Sequence, residues 1–292
     1  MIESRVARMK PEEQSSVPPI DSAGAGTSPR VLVIDVGGTH VKVLASGQDQ
    51  PREFVSGPKL TPKRMVSKVK NLVADWHYDT ISIGYPGPVL QNRATSEPWN
   101  LGKGWKGFNF EAAFKLPVKV VNDAAMQALG SYKHGKMLFL GLGTGLGSAV
   151  IVDGIVEPME LGHLPYKKAT FEDYLGVRGL EKYGKKKWRR YVADAVERLI
   201  AALEPEDVVL GGGNVHKLNE LPPGSRAGDN ANAFVGGFRL WEKTDGSMRD
   251  KHPCVRAPGR PLHVRSDKNK RGHESSHQIP PSAPGLEIAR RA

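Results

Sequence analysis

The sequence predicts an α/β protein built from two similar units with a ligand held between them. Three observations predict it. Val31–Leu44 reads VLVIDVGGTHVKVL: an apolar strand, a Gly-Gly-Thr turn and a returning strand. Roughly a hundred residues later, Lys136–Val152 reads KMLFLGLGTGLGSAVIV and repeats that pattern. Between them the apolar run Val118–Val121 leads straight into Asn122-Asp123 and a helical stretch.

Composition bounds the answer. The chain has 292 residues, 39% hydrophobic and 25% charged, which suits a globular protein with a real core. No apolar run approaches the ~18 residues that span a bilayer. The N-terminal MIESRVARMKPEEQ is polar and lacks the apolar core of a secretory signal. Cys254 is the only cysteine, so no intramolecular disulfide forms, and the expected location is the cytoplasm. The net charge is +11. No helix-turn-helix, zinc-finger or RNP-like pattern accompanies it, and a phosphorylated substrate accounts for basic charge equally well. Neither nucleic acid nor membrane is therefore expected as a partner.

In chain order, residues 1–29 carry Pro18-Pro19, Ser15-Ser16 and GAGTSP with little periodicity, and are expected to be disordered. The first hairpin follows. Gly37 and Gly38 allow a tight turn and close ligand approach. Thr39 and bare backbone N–H groups can cradle a phosphate. Asp35 at the strand tip can hold a hard cation through water. A Gly-rich hairpin can also serve shape alone.

Thr61-Pro62 opens a helix, Thr as N-cap and Pro at the first position, with Met65, Val66, Val69, Leu72, Val73 and Trp76 on one face. Thr80–Gly84 is a strand that breaks at Tyr85-Pro86-Gly87-Pro88. Val118–Val121 is the next strand. The Asp123 that follows can cap the helix from Ala124 to Tyr132, or stand at a rigid strand end as a base.

The second hairpin turns at Gly143-Thr144-Gly145. It is neither a Walker loop nor a dinucleotide fingerprint. Glu160 and His163 can pair as metal ligands or clamp a sugar. Lys167-Lys168 and Lys185–Arg190 are basic clusters, either a solvated face or a track for a polyanion. Trp188, Val192, Ala195, Val196, Leu199, Ile200 and Leu203 mark a long helix ending at Glu204-Pro205. Asp207–Leu210 is a strand opening onto Gly211-Gly212-Gly213-Asn214 and an expected helix, a junction that can accept phosphate. Ala231–Leu240 closes the folded part. The tail from Glu242 is Pro-rich and aperiodic, with His252, His263, His273 and His277 scattered through it.

The two hairpins with Asn122-Asp123 between them resemble the ROK family of bacterial sugar kinases, closest to its short glucokinase and polyphosphate-glucokinase branch. The resemblance covers roughly residues 30–241. It implies a two-lobed actin-like ATPase (ribonuclease H-like) fold with duplicated mixed-sheet α/β units around a central cleft. The lobes are expected at 30–117 and 118–241, the last helix packing back on the first lobe, with a disordered tail at 242–292. Asp123 is implied to be the catalytic base. Asn100, Asn122, Asp123, Glu160 and His163 are implied to bind glucose.

Asp35, Gly37, Gly38, Thr39, Lys42, Gly143, Thr144, Gly145, Gly212, Gly213 and Asn214 are implied to hold the phosphoryl donor, ATP or polyphosphate, with Mg²⁺ on Asp35 through water. Many ROK proteins carry a zinc on the E-x-G-H histidine and a following cysteine cluster. That cluster is missing here, which argues against zinc. The family also includes sugar-sensing repressors with a DNA-binding segment ahead of the sugar domain, and residues 1–29 are too short and polar for one. A sugar-binding protein without catalysis, another hexose or an N-acetylated amino sugar as acceptor, and a homodimer stay open.

Overall fold

The computed structural model describes residues 29–229 and 231–242. Most of the expected disordered leader and tail, with Cys254 and the four tail histidines, lies outside the described residues.

β1 (Val31–Val36) is almost wholly apolar because both its faces are covered. β2 (His40–Ala45) alternates, burying Val41, Val43 and Ala45, and β3 (Arg52–Val55) lies at the sheet edge. α1 (Pro62–Leu72) begins as the sequence predicts, with Thr61 Oγ1 accepting from Arg64 N–H at 3.4 Å. It stops short of the apolar stripe; Val73 and Trp76 are buried from the turn beyond it. β4 (Thr80–Tyr85) is followed by a small hairpin, β5 (Val89–Leu90) and β6 (Arg93–Ala94), then by α2 (Phe110–Phe114), β7 (Val118–Asn122) and α3 (Asp123–Ser131).

The second half runs β8 (Lys136–Leu142), β9 (Leu146–Val152) and β10 (Ile155–Met159). A 3-10 turn at Leu161–His163 and a short hairpin, β11 (Pro165–Tyr166) and β12 (Ala169–Thr170), come next. α4 (Phe171–Leu175), α5 (Val177–Leu203), β13 (Asp207–Gly211), β14 (Ser225–Ala227) and α6 (Asn232–Arg239) complete it.

The first sheet has the order β3-β2-β1-β4-β7 and the second β10-β9-β8-β13-β14. Directions match strand for strand: antiparallel through the hairpins, parallel across β1-β4-β7 and β8-β13-β14. The repeat seen in two turns thus extends to two whole sheets. Three readings need correction. β7, which the 117/118 boundary set in the second half, pairs with β4; an apolar run does not say which sheet it joins. α5 starts at Val177, well before Trp188, and breaks at Gly184 with φ +71°; the lysines after the break hide its apolar face. After Gly211–Asn214 there is one 3-10 turn, Val215–Lys217, where a helix was expected; Leu218 is already extended and ends it.

Alternation along the strands sorts the interior into three cores. Leu32, Ile34 and Val36 face α1 and α2. Leu138, Leu140 and Leu142 face α4 and α5. Val31 and Val33 from one sheet, and Met137 and Phe139 from the other, face a shared middle layer of α3 and α6. Gly130 and Gly236 let those two helices approach closely, since a Cβ at Gly236 would meet Met126 O at 1.8 Å, and Gly237 lets α6 lie against Val33 of β1. Ser82 Oγ donates to Gly237 O at 2.6 Å and fastens α6 to β4.

Candidate active site

The chemistry-bearing residues gather at the carboxyl ends of the parallel strands: Asp35 on β1, Gly87 after β4, Asn122-Asp123 after β7, Gly143–Gly145 after β8 and Gly211–Asn214 after β13. Open α/β sheets bind ligands at such ends.

The first turn is tied from inside. Gly37 N–H donates to His40 O at 2.9 Å, and Ser56 Oγ donates to Gly37 O at 2.8 Å. A Cβ on Gly37 would come within 2.8 Å of His40 O, so the turn needs glycine there. A Cβ on Gly38 would lie 3.4 Å from the Asn100 carboxamide, which places the Asn100 loop against this turn. Thr39 is exposed. Asp35 follows Val31 and Val33 on the inner face of β1, and Lys42 is its register partner on β2. Lys42 Nζ also lies 4.0 Å from Glu53. Asp35 keeps some surface, but protein atoms crowd its carboxyl; desolvation pushes it up to about 6 against the pull of Lys42.

Asp123 is the first residue of α3. The capping job falls to its neighbour: Asn122 Oδ1 accepts from Ala125 N–H at 3.1 Å, and its Nδ2 donates to Gly87 O at 3.1 Å. Asp123 Oδ1 accepts from Ala124 N–H at 2.8 Å. Desolvation first, then the negative charge of Asp35, pushes the Asp123 carboxyl up to about 7, and Glu160 adds to the rise. Gly147 makes this placement possible, since a Cβ there would stand 2.9 Å from the Ala124 methyl. The first turn of α3 therefore closes directly on β9.

The second turn is tied to the β13 junction. Asn214 N–H donates to Leu142 O at 2.9 Å, and its Nδ2 donates to Gly143 O at 3.0 Å. Lys217 Nζ donates to Asn214 Oδ1 at 2.6 Å, and Arg189 Nε to Lys217 O at 2.7 Å. Gly212, at φ +83°, has no room for a Cβ beside Leu142 O. The buried Asn214 carboxamide is thus spent on shaping the Gly143 turn, while Gly213 is exposed with open space around it. Val177 N–H donates to Thr144 O at 3.1 Å, so α5 starts at this turn.

Glu160 and His163 sit 3.6 Å apart, both substantially exposed. Partial burial raises the Glu160 carboxyl and His163 draws it back. Ser148 Oγ donates to Met159 O at 2.8 Å and accepts from Leu161 N–H at 3.1 Å, holding this segment beside β9.

Sequence reading missed Ser56, Glu97 and Glu172. Glu172 lies against the second turn, where a Cβ on Gly145 would meet its Oε2 at 2.6 Å, and it pairs with Arg178 at 3.3 Å. Its one signal is the capping box from Thr170 to Asp173, which fixes a helix start at that point.

The assembled site offers a carboxyl of near-neutral pKa at a rigid helix start, a second carboxyl beside it and a Gly/Thr turn on either side. Asp35 and Asp123 are close enough for the charge of one to act on the other, and their hard oxygens suit a divalent cation. Among the described residues no cluster of three or more His, Cys, Asp or Glu could hold a metal by itself. Such an ion would take its other ligands from water and from the donor. Among the described residues, too, no helix is long and apolar enough to cross a membrane.

The family model described as ROK family matches residues 31–174. The chain is 28% identical over 229 residues to a polyphosphate glucokinase of Mycobacterium leprae, covering 70% of each chain. It is 27% identical to a putative fructokinase of Bacillus subtilis, covering 62% of this chain and 76% of that one. Among solved structures it is similar to the inorganic polyphosphate/ATP-glucomannokinase of Arthrobacter sp. strain KM. There the TM-score is 0.62 at 23% identity, over 72% of this chain and 97% of the other. The two-lobed actin-like ATPase fold is the one this chain adopts.

Proposed function

With a ROK-family domain in the chain, over residues 31–174, as the premise, we propose that the protein is a sugar kinase moving a phosphoryl group from polyphosphate or ATP to the 6-hydroxyl of glucose. The observation that carries this reading is Asp123: a carboxyl of pKa about 7, freed from capping by Asn122, beside Asp35 and between two Gly/Thr turns.

Asp123 accepts the proton of the sugar hydroxyl as the O–P bond forms and the bond to the donor's bridging oxygen breaks. Asn100, Asn122, Glu160 and His163 orient the ring. Gly37, Gly38 and Thr39 approach the phosphates from one side, with Lys42 beside Asp35. Gly143, Thr144, Gly145 and Gly213 approach from the other, on a frame shaped by Gly212 and Asn214. Asp35 would hold Mg²⁺ through water, and the ion when bound offsets charge on the donor oxygens. Closure of the lobes would keep out water, the competing acceptor.

The donor reading leans toward polyphosphate. α5 starts at the second turn and carries Lys182, Lys185, Lys186, Lys187 and Arg190 exposed along it, a row suited to a long polyanion. The similarity to a putative fructokinase keeps a second hexose in view as acceptor. A coupled assay for glucose 6-phosphate with Mg²⁺ tests this, run in parallel with ATP and with polyphosphate as sole donor. Turnover is expected, faster with polyphosphate. Absence of turnover with both donors, while glucose still raises the melting temperature, would leave a sugar-binding protein without catalysis and overturn the reading.

A further inference from the structure

Resting on the sugar-kinase reading, we propose that Trp99 is a positioning residue for the acceptor, its indole forming a platform on which the apolar C–H face of the sugar ring stacks. A single exposed hydrophobic side chain is ordinary on a protein surface. Trp99 differs in how its loop is held. Tyr85 Oη donates to Ser96 O at 2.8 Å, and Glu97 accepts from Gly104 and Trp105 N–H at 3.1 Å each. Pro98 is buried before it and Leu101, Gly102 and Trp105 after it. Gly102 N–H and Trp105 Nε1 both donate to Leu60 O. Between buried Pro98 and buried Leu101, Trp99 and Asn100 face outward, in a stretch fixed on both sides.

Trp99 is 90% exposed, the largest value among the big apolar side chains of the described residues. Its neighbour Asn100 packs on Gly38 of the first phosphate turn, and Ser96 Oγ lies 3.7 Å from the Cβ position of Gly87, whose carbonyl holds Asn122. The loop that carries Trp99 therefore borders both the Gly38 turn and the Gly87 turn that holds Asn122. A flat aromatic surface with a negative face attracts the weakly positive C–H groups of a pyranose. A rigid loop offers that surface with little ordering cost.

The chain has five tryptophans, of which Trp76, Trp105 and Trp188 are buried and Trp241 is partly buried. Acrylamide quenching of tryptophan fluorescence in the full chain consequently reads Trp99 above the others. Saturating glucose should protect the exposed fraction from quenching in the wild type and change nothing in W99F or W99A, which lack that fraction. W99A should raise KM for glucose about tenfold with kcat nearly unchanged, and W99F should recover most of the loss. Undiminished quenching in the presence of bound glucose, or an unchanged KM in W99A, would overturn the proposal while leaving the kinase reading standing. A wild type that neither turns over glucose nor is stabilised by it would overturn both.

Discussion

The two hairpins share strand order, direction and turn composition, yet they are unlike in charge. In the first, Asp35 faces Lys42 across the ladder, one step in from the pair Val36 and Val41. In the second, the pair one step in from Leu142 and Leu146 is Gly141 and Gly147. One hairpin carries ionisable groups where the other carries none. The empty positions have their own use, because a side chain at Gly147 would collide with Ala124 and push away the helix start that holds Asp123. The fold repeats while this pair of positions differs: the first hairpin carries charge there, and the second leaves clearance for the start of α3.

The largest effect should come from removing the group that the clearance serves. Asp123→Asn keeps shape and should keep glucose affinity within a few-fold, yet lower kcat about 10²–10⁴-fold. Steady-state kinetics beside calorimetric glucose titration checks both halves, and retention of most activity would break the assignment. In the wild type kcat/KM should rise with pH through about 7 as Asp123 loses its proton, and this rise should vanish in the variant.

Stability should run the other way. Both Asp35 and Asp123 have folded pKa values above the unfolded one, about 6 and about 7 against 3.8. Their protonated forms favour folding at low pH, and that contribution is lost as pH rises through those values, by at most about 1.4 kcal/mol per pH unit for each group. Urea denaturation at pH 5 and pH 8 should show a smaller difference for Asp123→Asn than for the wild type.

A smaller effect should separate Gly141 from Gly147, the facing glycines of the second hairpin. Gly147→Ala forces a methyl against Ala124 and should cost about 1–3 kcal/mol. It should also reduce kcat more than tenfold, by shifting the first turn of α3. Gly141→Ala meets only the edge of the Phe139 ring at 3.4 Å and should be much milder in both respects. Equal effects would mean that clearance beside α3 is not what Gly147 provides.

Much of this was legible in the sequence because it rests on local chemistry. Apolar runs ending in Asp-x-Gly-Gly-Thr or Gly-Thr-Gly announce strand, turn and strand within a few residues. Thr61-Pro62 marks its helix start for the same reason. Long-range geometry left weaker traces. Nothing local says that Val118–Asn122 joins β4, that Glu172 reaches Gly145, or that Gly147 is small because of Ala124. The competition between cap and base at Asp123 was also undecidable from residue types, since Asn122 and Asp123 are both good caps. Only the placement of Asn122 Oδ1 on Ala125 N–H shows which of the two caps α3.

The smallest effect tests whether the second turn is a separate part. Asn214 joins the β13 junction to Gly143 through its carboxamide and holds Lys217 on the other side. Asn214→Ala leaves the Gly143 carbonyl and the Lys217 ammonium without that partner, a loss of about 1–2 kcal/mol. The turn would loosen on the donor side alone, since Asn100, Asn122 and Asp123 belong to the other half of the site. KM for the phosphoryl donor should rise a few-fold while the dissociation constant for glucose stays put. If glucose binding weakens by the same factor, the two turns act as one unit and the division of work between them fails at its donor end.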